Sequence, residues 1–504
     1  MTPISPTADT RDNILVLDLG TSGLRTSIYD LQGHRIEHLG NRYHWTLNTT
    51  SDGGAELDPD TIFDAVVQGI DEILVQCKSS DLKIAHIASC VLCPTLIGLD
   101  DNNKPVTPAY TWADVRAAGA AAELRSILGT EEVFQRTGCV LHAAYLPAKL
   151  RWLFASNPSQ FSKVSKWCGI GDYITLRIYG RLMCSLSVAS WTGLMDRHSK
   201  IWDAELRSTI GVSEKQLPEI NGDGDPIQGL TDEWSDRWSQ IQNATWFHPI
   251  GDGVANNIGS GCLQSNRVAL MMATSGAVRI VTDKAIEKIP KGLWAYCIDQ
   301  QSTLLGGALS SGGNVIDWLL KSFDIESNRI AAEMPGRIPD SHGLTMLPFL
   351  AGERNPNWAD HARGAIVGLA LNTTPLDIFQ ASVEAIAYEY AAIYDILKES
   401  LGRDPEIVAS GGAISHFPFL AQLMADVLGQ KVSVIDDSEI SSRGVAVFTL
   451  LALNSGGKRG SVTLRLYEDP ARITRTYEPD TNNYKLYQIG KQRHRALYSK
   501  LIDA

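Results

Sequence analysis

The chain has 504 residues, of which 44% are hydrophobic and 20% charged, and its net charge is −12. Length suggests about two to four domains, and the composition is that of a soluble globular protein. The acidic balance without a long basic run argues against nucleic-acid binding, and no stretch free of charge is long enough to cross a membrane.

In chain order, residues 1–12 are polar, carry Pro3 and Pro6, and are expected to form a flexible arm rather than a signal peptide. Residues 14–46 read as three β runs with turns at Gly20–Gly23 and Leu31–Gly33. From Asp60 to Gln76, Ile62, Phe63, Val66, Val67, Ile70, Ile73 and Leu74 fall on one helical face. Ile84 to Leu99 is strand-like and ends in the turn Asp100–Pro105. A long helical zone is expected from Ala113 to about Ile178. The polar, Trp-containing stretch from Asn221 to Asn243, with Gly222, Gly224 and Gly229, reads as the approach to a domain boundary, with a hinge near Phe247–Gly251.

The second half opens with Gly251-Asp252-Gly253. Val268–Ala273 then runs into Thr274-Ser275-Gly276 and a further β run, Val278–Val281. Thr374-Pro375-Leu376-Asp377 carries the signals of a helix start. His416 to Leu428 has helical spacing and stops at Gly429. Strands and helices alternate throughout, so the fold class is α/β. Eight scattered cysteines, with only Cys90 and Cys93 close together, read as reduced, mostly buried thiols of a cytoplasmic protein rather than a zinc site.

The tripeptide Thr-Ser-Gly occurs at Thr21-Ser22-Gly23 and again at Thr274-Ser275-Gly276, each time after an apolar run. A strand, a polar turn and a second strand offer clustered N–H groups and hydroxyls, which suits a phosphate. Two such hairpins suggest two related lobes gripping one nucleotide. Asp18, at the end of the first run, reads equally as an Mg2+-holding acid or as a turn-capping Asp. Asp252 between two glycines reads as a carboxylate that accepts a hydroxyl proton or as part of an ordinary Gly-rich turn. Asn256 and Asn257 stand where a helix starts. Two glycine clusters, one ending in Gly312-Gly313 and one containing Gly411-Gly412, join apolar strands to helices where N–H groups are free for phosphate or ribose. Gly352-Glu353-Arg354 and Arg363-Gly364 bracket a Trp358 loop that reads as a structural ion-pair loop. Neither a Rossmann fingerprint nor a P-loop, a H-E-x-x-H or a G-x-S-x-G is present.

From Ile14 to about Leu453 the chain resembles the FGGY family of carbohydrate kinases. Gly364-x-Ile366-x-Gly368-Leu369, seven residues, then Asp377-Ile378-x-x-Ala381-Ser382-Val383-Glu384 fits the family's C-terminal signature. Lys149-Leu150-Arg151-Trp152-Leu153 fits the middle of the N-terminal one, while Leu146 and Ala155 depart from it. The resemblance implies two actin-like (ribonuclease H-like) lobes around a cleft. Residues 13–248 would bind sugar, residues 249–475 would bind ATP, and residues 476–504 form a C-terminal extension. It places Asp252 on the catalytic base and Asp18 on the magnesium-associated acid, with Asp252 also near the metal. Thr21, Ser22, Thr274, Ser275 and Gly276 fall on phosphate loops, with Gly312 and Gly313 beside them, and Gly411 and Gly412 on the adenosine loop.

Within the family, Thr107–Arg116 (carrying Trp112, Asp114 and Arg116), Ala189-Ser190-x-Thr192-Gly193-Leu194-Met195 and Ala273–Arg279 look most like gluconate kinases. Xylulose kinases share the Trp112/Asp114/Arg116 pattern, which marks these three as substrate-binding. Cys93-Pro94 stands where many of these kinases have Met-His. The implied activity is ATP- and Mg2+-dependent phosphorylation of a terminal hydroxyl of a small sugar or sugar acid, D-gluconate first. The alternatives are a ketopentose or polyol kinase and, more remotely, a non-catalytic sensor. A carboxylate on the substrate calls for a cation, with Arg116, Lys149 and Arg354 as unranked candidates. A homodimer is compatible with the resemblance.

Overall fold

The computed structural model describes residues 12–221, 226–359, 361–454 and 472–503. The expected arm thus lies outside the described residues except for Asp12, which begins the first strand. Gly222 and Gly224 also lie outside them.

Two seven-stranded sheets form the cores of two lobes. In the first, Asp12–Gly20 pairs antiparallel with Gly23–Asp30, which pairs antiparallel with Arg35–His44. On the other side Asp12–Gly20 runs parallel to Lys83–Val91, which runs parallel to Thr245–Phe247. In the second lobe, Arg267–Met272 pairs antiparallel with Gly276–Thr282, and that strand with Thr303–Leu309. Arg267–Met272 is parallel to Glu406–Ser410, which is parallel to Val432–Val434. Numbering these five strands along the chain, both lobes have the order 3-2-1-4-5 with the same polarities. The two Thr-Ser-Gly turns are therefore equivalent positions of a structural repeat.

The helices form where capping and apolar spacing agree. Pro59–Ser79 starts on Asp58, whose carboxylate accepts the Thr61 N–H at 2.7 Å, and buries the face expected of it. Pro375–Leu401 starts with a capping box between Thr374 and Asp377 and stops at Gly402 in the left-handed region. Phe419–Leu428 likewise ends at Gly429.

Three expectations are corrected. The helical zone is broken into Ala118–Ile127, Thr130–Thr137, Leu146–Ser156, Pro158–Phe161 and Ile170–Tyr179, with the strand Lys166–Cys168 between the last two. Gly129, Gly138, Pro158 and Gly169 stand at the breaks, where chain conformation or a missing N–H stops a helix. The Ile84–Leu99 run is two strands, Lys83–Val91 and Ile97–Leu99, in different sheets. They are separated by Pro94, which cannot donate to a ladder. The described part of the 221–243 stretch packs into the first core, where Trp234 and Trp238 are buried and stack at 4.6 Å. The helix after Gly251 begins at Asp252 itself rather than at the Asn pair.

Ile250–Gly251 also pairs with Lys83–Val91, and the chain leaves the first sheet there. The helix Asp252–Gly259 follows, and the second sheet begins at Arg267. That helix crosses Ile440–Asn454 backbone to backbone. A Cβ on Gly259 would lie 1.8 Å from Ile440 O, and one on Gly444 1.8 Å from Ala255 O. Only glycine permits this approach.

Candidate active site

Register places the two acids. Asp18 pairs with Cys90, while Ile250 and Gly251 pair with Cys90 and Val91 from the opposite side. Asp18 and Asp252 therefore flank the end of one strand, about two strand spacings or ~10 Å apart along the sheet. Asp18 is buried, at 5% exposure. The Cys90 thiol donates to its Oδ1 at 3.1 Å, and Arg25 Nε lies 3.9 Å from Oδ2. Burial pushes the Asp18 pKa up, with Arg25 and Cys90 opposing it. Arg25 also reaches the second lobe, donating to Ser438 O at 2.9 Å.

Asp252 begins its helix and keeps some exposure to the cleft. Burial of its carboxyl raises its pKa to about 6; Arg279, the Gly253 N–H and Arg354 pull it down, and Asp18 pushes it further up. The Gly253 N–H reaches Oδ1 at 2.8 Å, and Arg279 Nη1 ties to Gly253 O at 2.8 Å. A carboxylate titrating near 6 is unprotonated at neutral pH yet basic enough to take a hydroxyl proton in a transition state. Cys93 stands close enough for the Asp252 charge to help burial raise its thiol pKa.

The sequence candidates fall into three groups. Trp112 belongs to the cleft: its Nε1 donates to Thr21 Oγ1 at 3.3 Å, and the Arg354 guanidinium sits 5.3 Å from its ring. Asp114 and Arg116 bond to each other, and Arg116 also pairs with Glu56 and lies over Trp152 at 4.8 Å. Lys149 is buried beneath them, donating to Asp114 O at 2.8 Å and Ala143 O at 2.7 Å, and burial lowers its pKa to about 7. Of the three unranked cations, Arg354 is the one whose charge bears on Asp252.

At the end of the second sheet the structure gathers the remaining candidates. Thr274 is exposed and Ser275 half-buried at the hairpin turn. Gly313 N donates to Ala273 O at 2.7 Å and Asn314 N to Thr274 O at 3.0 Å. Gly312 N goes to Asn314 Oδ1 at 2.9 Å. Of the N–H groups expected to be free, that of Gly313 is thus spent on bracing the hairpin and that of Gly312 on the Asn314 side chain. Gly276 packs against Tyr390, and Gly411, at φ 110°, packs against Met272. Gly412 opens the next helical turn. Beside it the buried Ser410 hydroxyl has no partner among the described residues.

Within the Trp358 loop Glu353 and Arg354 do not pair with each other. Buried Glu353 accepts from the Tyr498 hydroxyl and from Asn357 Nδ2 at 2.9 Å, and burial raises its pKa to about 7. Arg354 lies between the rings of Trp112 and Trp358. Sequence reasoning assigned no role to Arg279, Cys90, Trp191, Tyr145 or Tyr296. Arg279 and Trp191 do fall within segments whose neighbours were recognised.

Family models for the N-terminal and C-terminal domains of the FGGY family of carbohydrate kinases match residues 13–259 and 268–453. The chain belongs to this family and is an ATP-dependent sugar phosphotransferase with two actin-like lobes. It is 26% identical to a gluconokinase of Bacillus subtilis over 451 residues, 87% of each chain. It is 26% identical to a xylulose kinase of Lactococcus lactis over 422 residues, 83% of each. A gluconate kinase structure from Lactobacillus acidophilus superposes with a TM-score of 0.88 at 26% identity, covering 97% of this chain and 98% of that one. Among the described residues, no helix is long and apolar enough to cross a membrane.

Proposed function

We propose that this kinase phosphorylates the terminal hydroxyl of a small sugar acid, with D-gluconate as the first candidate. The observation that carries the reading is the position of Arg354, a cation whose charge bears on Asp252, held between Trp112 and Trp358 and paired with no carboxylate among the described residues. Such a guanidinium suits a substrate carboxylate. The similarity to gluconokinases supports the same choice.

In this reading Asp252 accepts the hydroxyl proton as the substrate oxygen attacks the γ-phosphorus of ATP and the bond to the β,γ-bridging oxygen breaks. Thr21, Ser22, Thr274 and Ser275 hold the phosphates with hydroxyls and N–H groups; Gly411 lets its turn pack on the Met272 backbone, and Gly412, with open space where a Cβ would stand, leaves room for the adenosine. Buried Asp18, whose strongest cationic neighbour is an Arg25 nitrogen 3.9 Å away, fits a divalent cation. Mg2+ there would neutralise phosphate charge. Trp112 orients substrate, with Asp114 and Arg116 supporting its loop.

Ketopentoses form the second reading, favoured by the equal identity to a xylulose kinase. Mass analysis of the product from Mg-ATP with D-gluconate, D-xylulose, D-ribulose, L-xylulose or glycerol separates the two. 6-Phosphogluconate as the preferred product supports the first reading, and a pentulose phosphate replaces it with the second.

A further inference from the structure

Gly251 and Gly253 flank Asp252 in a pattern that reads as backbone left open for a ligand. Their surroundings show another cause. A Cβ on Gly251 would lie 2.8 Å from Trp191 Nε1, and one on Gly253 would lie 2.5 Å from Trp191 Cη2. The indole runs along the turn and occupies the space that two side chains would need. Backbone conformation does not demand glycine at either place. Gly251 has φ −64° and ψ 139°, which any residue adopts, and Gly253 lies within a helix.

Trp191 belongs to the first lobe, yet its ring is covered by the second. Tyr296 stacks on it with centroids 4.1 Å apart and planes 23° apart, and Trp294 stacks on Tyr296 at 4.2 Å. Both come from the edge strand Trp294–Cys297 of the second sheet. The Tyr296 hydroxyl meets that of Tyr145 at 2.6 Å, and Ser190 Oγ donates to Cys297 O at 3.1 Å. Trp191 is 8% exposed, and its N–H has no hydrogen-bond partner among the described residues. Packing alone, between the turn and the other lobe, holds this indole in place.

We propose that Trp191 is a positioning residue for Asp252. The indole seats the turn that carries the carboxylate, and its stacking on Tyr296 makes that seat depend on the second lobe being docked. The proposal rests on the reading of Asp252 as the base.

The test is a double-mutant cycle with Gly251→Ala, Trp191→Phe and the pair, assayed with Mg-ATP and the best acceptor of the panel above. Phenylalanine lacks the pyrrole nitrogen that blocks a Cβ at 251. Gly251→Ala is expected to lower kcat by about 10²-fold, as a misplaced catalytic group does, with a smaller change in the KM for ATP. Adding Trp191→Phe is expected to restore a large part of that loss. A merely structural role for Trp191 predicts instead that the double variant is worse than either single one. Gly251→Ala with wild-type kcat, or a double variant no better than Gly251→Ala, overturns the proposal. If Gly251→Ala does not fold, recovery of folded, active protein on adding Trp191→Phe supports it, and no recovery overturns it. Absence of turnover by the wild-type protein on every acceptor removes the base reading and the proposal with it.

Discussion

Arg354 and Trp112 come from opposite lobes and meet with the guanidinium carbon 5.3 Å from the ring centroid. No carboxylate among the described residues pairs with this cation, and in the proposed function Arg354 is the residue on which acceptor choice turns.

Arg354→Met should therefore raise the KM for D-gluconate by about 10- to 100-fold, the worth of one charge-assisted hydrogen bond. The KM for glycerol or D-xylulose should change far less. Steady-state kinetics on the charged and neutral acceptors check this, and equal losses on both would remove the carboxylate-binding role.

Asp252 sets the pH dependence. Its pKa of about 6 makes kcat/KM rise with pH through that value and level off above it, as the carboxylate loses its proton. A pH–rate profile without that acidic limb would contradict the base assignment.

The same shift acts on stability with the opposite sign. The carboxyl holds its proton more tightly in the folded protein than in the unfolded chain, so folded stability falls as pH rises from about 4 to about 6 and stays lower above that. Asp252→Asn should lose about 10²–10⁴-fold in kcat. It should also be about 1–3 kcal/mol more stable than wild type at pH 8, with little difference at pH 4. Thermal unfolding at the two pH values measures it.

Tyr498 lies on the C-terminal helix Thr481–Leu501 and bonds to Glu353, the residue before Arg354. Tyr498→Phe leaves a buried carboxyl without that donor. It should cost about 1–3 kcal/mol of stability and raise the acceptor KM more than it lowers kcat. Unfolding and kinetics on one preparation test both.

At the crossing of the two helices between the sheets, Gly444→Ala forces a Cβ into the Ala255 carbonyl. A loss of about 1–3 kcal/mol or more is expected, read as a lower midpoint of denaturant unfolding.

The repeat was legible because its signals are local: an apolar run, a polar turn and a second run occur within sixteen residues at both Thr21 and Thr274. The start at Thr374 and the stop at Gly429 were legible for the same reason. What escaped depends on partners distant in sequence. Arg116 and Lys149 looked as eligible as Arg354 until Glu56, Asp114 and Ala143 were seen to occupy them. Ile84–Leu99 is one apolar run, but its two ends serve different sheets. Trp191 filled the open position of a recognised motif, and nothing nearby said that it would lie against Gly251.

The central claim is phosphoryl transfer that depends on Asp252. ADP release from Mg-ATP with D-gluconate and the four other acceptors, wild type and Asp252→Asn side by side, tests it most directly. The account predicts strong turnover, greatest with D-gluconate, that is lost in the variant. Equal turnover in both proteins, or ATP binding with no acceptor-dependent ADP release, would contradict it.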